Sequence, residues 1–589
     1  MPERAPDAKP PQPAAADSRA ATEPPVADPG WDRRTFLKRG LLTAGGALLG
    51  VHHFGGGTAA TGIAHRAPHT RKRGAMPPNI LTIIVDQLRT PAWMPSGIGP
   101  QVVMPNLTAL QERSVSFERH YTAANDCSPS RSVLLTGLYT HQTGVMITGK
   151  SWLDPRFPTW GTLLRKMGYE TAYYGKWHLN PNAYASLEPY GFSGGTYPSP
   201  NGNPGQGTTE DPLIAAQFEE WFEGRASREP WATTVSFVNP HDVAWWHRFT
   251  ERIEAEANPP SRATMLPPNY ETPEELLAKG KPLLQRSLQD TAAGSFGAVP
   301  FTGSEALSWW TQMMDTYLLL QGYVDTQIGA VLATLASRPE VAANTVVIFT
   351  SDHGEYAGSH GLRGKGASAY EEAIRVPLYV FDPRGLLTSA TSVPRTQLTS
   401  SSDLVALMLT IASGSEAWRK ESTYAHLASR LSLAKICANP HTPGRKWVLH
   451  ATDEDVTEFA SEPYAAYAPR HVIAIRSAKG KLALYSNWRA GTIEVEPSAQ
   501  EAEFYDYSGE EGRLEVSGQL AAGSALGEQL RATLETEAMP HELRATLPSH
   551  LHAARREGMA QYFAYEEREA LKVLEAHLPQ APEPSPEPG

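Results

Sequence analysis

Four stretches of the chain share one pattern: a run of apolar and β-branched residues that stops at polar, chemistry-bearing ones. Residues 79–86 (Asn-Ile-Leu-Thr-Ile-Ile-Val-Asp) end in Asp86 and Gln87, and residues 170–175 lead into Lys176, Trp177 and His178. Residues 231–238 lead into Asn239, Pro240, His241 and Asp242, and residues 345–350 into Ser351, Asp352, His353 and Gly354. Runs without polar alternation read as strands buried on both faces of a parallel sheet. Ligands of open α/β sheets bind at the carboxyl ends of the strands, so the pattern gathers functional candidates at one edge. Asp, Asn, Gly and Pro after a strand are also ordinary turn formers. That accounts for Asn239 and Gly354, but poorly for Lys176, His178, His241 and His353.

Helical patterns fall between the strands. Residues 159–167 form one, and residues 309–337 form a long one with apolar positions at helical spacing, which assigns Met313, Met314 and Tyr323 to the core. Another strand covers residues 375–381, and a helix follows from about 402 to 412. Residues 196–212 and 256–304 are rich in Pro, Gly and polar residues and read as long irregular loops of the kind that shape a substrate pocket. Trp245, Trp246 and His247 either wall that pocket or pack in the core. Residues 470–476, 480–486 and 503–507 look like short alternating strands, and residues 519–576 are helical in pattern. The fold class is therefore α/β: a large, mostly parallel central sheet flanked by helices, with a smaller C-terminal antiparallel subdomain. The organisation predicted is a leader and linker over 1–76, a catalytic domain over 77–465, a C-terminal subdomain over 466–576 and a disordered tail over 577–589.

The chain has 589 residues, enough for one large domain and a smaller one. Its net charge of −11 and the lack of a long basic run argue against nucleic acid as the main partner. The only cysteines are Cys127 and Cys437. A disulfide framework is excluded, and a single bridge would consume Cys127. Near the N-terminus, Asp32-Arg33-Arg34-Thr35-Phe36-Leu37-Lys38 precedes a short, weakly apolar run over 40–51. This is the pattern of a twin-arginine export signal, and the run is too short to span a bilayer. A periplasmic or secreted protein follows, with the twin-arginine translocase as partner and no membrane span in the mature chain.

The chemistry centres on Cys127-Ser128-Pro129-Ser130-Arg131, followed by Ser-Val-Leu-Leu-Thr-Gly. Pro129 suits the first position of a helix and Gly137 its stop. Cys127 then lies at a helix N-terminus, where backbone N–H groups attract anions. Arg131, four residues on, returns to the same face. A nucleophile, an anion-binding helix end and a guanidinium within five residues point to reactions of an oxyanion ester.

With Leu135-Thr136-Gly137, this stretch resembles the type I sulfatase signature Cys-x-Pro-x-Arg followed by Leu-Thr-Gly, within the alkaline-phosphatase superfamily. The resemblance runs from about residue 79 to about residue 506. It implies hydrolysis of sulfate esters, of small molecules or glycans, by a formylglycine made from Cys127 by a maturation system. It assigns Asp86, Gln87, Asp352 and His353 to a divalent metal, whose site also includes Cys127. Carboxylate and amide oxygens suit a hard cation, so calcium is expected. The imidazole of His353 keeps manganese and magnesium as rivals. Many sulfatases carry a second Asp at position 87 and Asn at position 353. The versions here are similar to the choline-sulfatase and phosphonate monoester hydrolase branches. By the same resemblance Arg131 steadies the modified residue, Lys176 and Lys365 contact the sulfate, and His178 meets the formylglycine hydroxyl. His241 faces the leaving oxygen, a position suited to a general acid. His360, Arg363, Glu371 and Glu372 either border the pocket or pair with one another as surface charges. A phosphonate or phosphate ester hydrolase with the same site is the alternative activity, and a catalytically silent binding protein the alternative class.

Overall fold

The run Asn79–Asp86 forms strand β1, buried along its whole length. Ile80 and Ile84 enter one apolar cluster, while Leu81, Ile83 and Val85 enter another. Successive side chains of a strand point to opposite faces, so the unbroken apolar run serves two cores at once. The computed structural model describes residues 77–90, 100–225, 230–248, 262–454, 468–516 and 524–577. All of them belong to one unit spanning Pro68–Gly589. The leader, the twin-arginine pattern and the tail from residue 578 lie outside the described residues.

Continuing along the chain, β2 is Val115–Phe117, α1 Cys127–Thr136, α2 Trp160–Lys166, β3 Glu170–Gly175 and α3 Gln206–Arg225. Then come β4 (Trp231–Pro240), α4 (Pro273–Ala278), α5 (Leu283–Phe296), α6 (Gly303–Ala336), β5 (Thr345–Ser351), β6 (Leu378–Phe381) and α7 (Leu404–Ser413). The central sheet has the order β2-β6-β5-β1-β4-β3. The four strands β3, β4, β1 and β5 are parallel neighbours, and β6 runs antiparallel beside β5. Asp86 pairs with Pro240, Val85 with Ser351 and Gly175 with Ser236. The four polar strand ends therefore emerge side by side along one edge. Helices α1, α2 and α7 supply the core on one face, and α3 and α6 the core on the other.

A second sheet, antiparallel, has the order β10-β9-β8-β7, with β7 Trp447–Asp453, β8 His471–Ser477, β9 Gly480–Trp488 and β10 Val495–Asp506. Helices α8 (Ala525–Thr533) and α9 (His552–His577) follow. No helix among the described residues is long and apolar enough to cross a membrane.

Three expectations change. Helix α1 begins at Cys127 with Asp126 as its cap, so Pro129 stands at the third position, not the first. It is still in the first turn, where backbone N–H groups lack intrahelical acceptors. Gly137 ends the helix at φ 69°, its N–H bonded to the Val133 carbonyl. The stretches 196–212 and 256–304 are not irregular throughout. Helix α3 starts at Gln206, with Ile214, Phe218 and Phe222 buried against the sheet. Helix α4 opens on a capping box in which Thr272 accepts from Glu275 N, with Pro273 just inside. These contacts outweigh the Gly and Pro content that suggested loops.

Candidate active site

The edge formed by β3, β4, β1 and β5 brings Asp86, Lys176, His241, Asp352 and His353 to the N-terminus of α1. Cys127 Sγ lies 3.2 Å from His353 Nε2, 3.7 Å from Lys176 Nζ and 3.8 Å from Asp86 Oδ1. Asp86 Oδ2 meets Lys176 Nζ at 2.7 Å and Arg131 Nη2 at 2.9 Å. The same guanidinium nitrogen reaches Asp352 Oδ2 at 2.9 Å, while Arg131 Nη1 donates to the Lys176 carbonyl at 2.6 Å and to Ser236 Oγ at 3.0 Å. Arg131 thus ties together three strand ends. Cys127, Asp86, Lys176, His241, Asp352 and His353 are all fully buried. Burial alone would raise the Asp86 carboxyl, but Lys176, His241, Arg131 and His353 hold it well below the usual carboxylate range. Asp352 and Asp86 likewise hold the Arg131 guanidinium protonated against the same burial.

The donor set fits a divalent cation. Ligand atoms of Asp86, Cys127, Asp352 and His353 all lie within 4.8 Å of one another. His353 Nδ1 sits 3.0 Å from the Gly354 carbonyl, which can only accept, so this nitrogen carries the proton. Nε2 is left facing Cys127 and Asp86, and it is the nitrogen with which a metal-binding imidazole would ligate. Asp352 Oδ1 accepts from the backbone N–H groups of Gln87 and His353, whereas Oδ2 has no hydrogen bond beyond its ion pair. Gln87 turns its side chain to Lys365, whose Nζ donates to Oε1 at 2.9 Å, and to Glu355, whose Oε2 accepts from Nε2. Backbone strain collects here: Gln87 and His178 adopt φ values of 68° and 56°, a region costly for side chains other than glycine.

His178 follows β3; its carbonyl accepts from Ser128 Oγ at 2.6 Å, which fixes the first turn of α1. His241 packs with Lys176 beneath Gly202, where an added Cβ would stand 2.5 Å from His241 Cε1 and 2.9 Å from Lys176 Nζ. Trp245 Nε1 donates to the Gly202 carbonyl at 2.6 Å and holds this cover down, and both Trp245 and Trp246 join an apolar cluster with Met313 and Met314.

His360, Arg363, Glu371 and Glu372 are not surface charges; all four are buried. His360 pairs with Glu271 at 2.7 Å and with Glu372 at 3.7 Å. Glu371 meets Arg476 at 3.1 Å and accepts from Tyr121 OH at 2.8 Å. Arg363 donates to the carbonyls of Ala244 and Trp246. His360 and Glu372 do pair with one another, as one of the expectations had it, but the other partners lie far away in sequence, which concealed the burial. Sequence reasoning also missed Gly202, Ser236 and Glu355; only Glu355, two residues beyond His353, carried a visible signal.

Fold and site together define an α/β protein of the alkaline-phosphatase superfamily. The sulfatase family model matches residues 78–415, and the chain belongs to that family. It is 27% identical over 337 residues to the uncharacterized sulfatase YidJ of Escherichia coli (strain K12), covering 52% of this chain and 63% of that protein. It is 27% identical over 462 residues to the choline-sulfatase of Rhizobium meliloti (strain 1021), covering 69% of this chain and 77% of that protein. In structure it resembles the phosphonate monoester hydrolase SpPMH from Silicibacter pomeroyi, with a TM-score of 0.60 at 22% identity, covering 81% of this chain and 97% of that one.

Proposed function

We propose that the protein hydrolyses sulfate esters at Cys127 with the help of a divalent cation. The observation that carries this reading is the enclosure of the Cys127 sulfur, at a helix N-terminus, among Asp86, Lys176 and His353. Asp86, Gln87, Asp352 and His353 are the residues to hold the cation, with calcium expected and manganese or magnesium as rivals. When bound, it supplies Lewis-acid polarisation of a sulfuryl oxygen. Conversion of Cys127 to formylglycine supplies a hydrate, one hydroxyl of which attacks sulfur while the second allows sulfate to leave.

The remaining work falls to the chain's own side chains. Lys176 and Lys365 neutralise sulfuryl oxygens in a site from which water is largely excluded, where such charges act strongly. Arg131 keeps Asp86 and Asp352 in place and offsets their charge. His178 orients the modified residue. His241 delivers the proton that the leaving oxygen needs. Export through the twin-arginine translocase, after modification and metal loading, suits a site this enclosed.

The test is sulfate release from a panel of aryl, alkyl and sugar sulfates by protein whose Cys127 has been shown by mass spectrometry to be modified. Cys127→Ala should lose at least about 10³-fold in kcat/KM; unchanged activity would overturn the proposal. The neutral Gln87 and the imidazole of His353 favour a second reading, in which phosphonate esters are the better substrates. A higher kcat/KM on an aryl phosphonate than on the matching sulfate would select it.

A further inference from the structure

The candidate metal site has an oddity at Gln87. Strand β1 ends in a carboxylate, Asp86, followed by an amide, and an amide has one oxygen and one NH2 group that must each face the right way. Nothing intrinsic to Gln87 decides between the two orientations, which differ little in shape. The surroundings decide it. Glu355 lies fully buried behind Gln87, its Oε2 accepting from Gln87 Nε2. The other carboxyl oxygen, Oε1, accepts from the backbone N–H groups of Ala357 at 3.0 Å and Gly364 at 2.7 Å. All of these partners are N–H donors, so position 355 requires a side chain that only accepts. With its NH2 taken by Glu355, Gln87 presents Oε1 to Lys365 Nζ at 2.9 Å. Lys365 is also the residue after Gly364, so one carboxylate fixes both ends of the Gln87–Lys365 link. Arg89 Nη1 donates to the Glu355 carbonyl at 3.3 Å and the Tyr356 carbonyl at 2.7 Å, bracing the turn from below.

We infer that Glu355 is a positioning residue that holds the Gln87 amide oxygen toward the cation and Lys365, and so sets both metal affinity and the placement of a sulfate-contacting lysine. The inference rests on the metal-dependent reading above. It gives the site a negative charge just behind the amide, where an acidic residue at position 87 would have placed one directly.

Glu355→Gln is nearly isosteric but introduces an NH2 group among donors. That group must face either the two backbone N–H groups or Gln87 Nε2. In the second case Gln87 turns over and points its own NH2 at Lys365 and the cation. Exchanging the two groups, in Gln87→Glu with Glu355→Gln, restores the alternation. The new amide oxygen at 355 accepts from Ala357 and Gly364, its NH2 donates to the new carboxylate at 87, and that carboxylate accepts from Lys365.

The experiment is calorimetric titration of Ca2+, Mn2+ and Mg2+ into chelator-stripped full-length protein, with the state of Cys127 matched by mass spectrometry. Melting temperatures of the metal-free proteins and kcat and KM on an aryl sulfate accompany it. Glu355→Gln should weaken cation binding by about 10- to 100-fold, the usual effect of losing a partner behind a ligand, while the metal-free melting temperature stays within a few degrees. The double variant should bind within about threefold of the parent. A parent that binds none of the three cations overturns the metal-dependent reading itself. A parent that binds, together with a Glu355→Gln variant that binds equally well, overturns the positioning role alone. So does a double variant no better than Glu355→Gln. If Glu355→Gln is recovered unfolded, the double variant decides: folded and cation-binding supports the role, and unfolded or non-binding overturns it.

Discussion

Gly202 offers the sharpest test of how the site is covered. Its φ of +91° belongs to glycine, and a Cβ there would meet His241 Cε1 at 2.5 Å, His241 Nδ1 at 2.8 Å and Lys176 Nζ at 2.9 Å. Carbon atoms rest at about 3.5–4.0 Å, so Gly202→Ala must displace the imidazole by about 1 Å or lift the loop that Trp245 anchors. Backbone strain adds about 1–3 kcal/mol. A misplacement of about 1 Å at a reacting group costs about 10²-fold in rate, and this is the loss expected in kcat, with the melting temperature falling by only a few degrees in a chain of this size. Gly168→Ala is the control, since its φ is +86° but its Cβ would meet nothing within 4 Å. The assay is initial-rate hydrolysis of nitrophenyl sulfate, normalised to the modified fraction of Cys127, beside thermal unfolding of both variants. If Gly202→Ala keeps more than about a third of the parent kcat, or if both variants lose activity equally, the reasoning from contact is wrong.

Two further outcomes concern stability. Burial would raise the Glu372 carboxyl, but His360 and Arg89 bring it down to about 2, against about 4.3 in an unfolded chain. Its contribution, on the order of 3 kcal/mol, is complete above about pH 4.3 and is lost as the pH falls through about 2. The urea-unfolding gap between the parent and Glu372→Gln should therefore narrow across that window, and a gap constant with pH would count against the pairing. Arg395, fully buried, donates to the carbonyls of Ile436 at 2.8 Å, Cys437 at 2.9 Å and Ala390 at 3.2 Å, and also to those of Ser389 and Val393. Arg395→Met strands those oxygens and should cost about 3–5 kcal/mol in chemical denaturation without changing kcat of the folded fraction; a loss under about 1 kcal/mol would refute this.

The strands were readable because burial on both faces leaves an unbroken apolar signature, and the residues that end them were readable with them. The start of α3 was hidden for a physical reason. The Asp242 carboxylate accepts from Thr208 N at 3.2 Å, and Asp211, within α3, accepts from Val238 N and Asn239 N. These tertiary bonds tie the first turns to β4, and no local pattern encodes them. His360 and Glu371 looked like surface charges because their partners Glu271, Arg476 and Glu515 lie 89, 105 and 144 residues away. Glu355 and Gln87 are 268 residues apart, and only the register of β5 on β1 brings them together.

The enclosure of Cys127 also sets a timetable. The sulfur is covered in part by His353, which lies 226 residues further along the chain. At about 5–20 residues per second, a ribosome takes about 10–45 seconds to travel between the two. For that interval residue 127 has been made while the strand that closes over it has not. On the proposed modification of Cys127, a maturation enzyme would meet an open peptide then, and a sealed helix end afterwards. Slower elongation across this stretch should then raise the modified fraction, and the pace of translation would help set how much active enzyme each cell obtains from the same message.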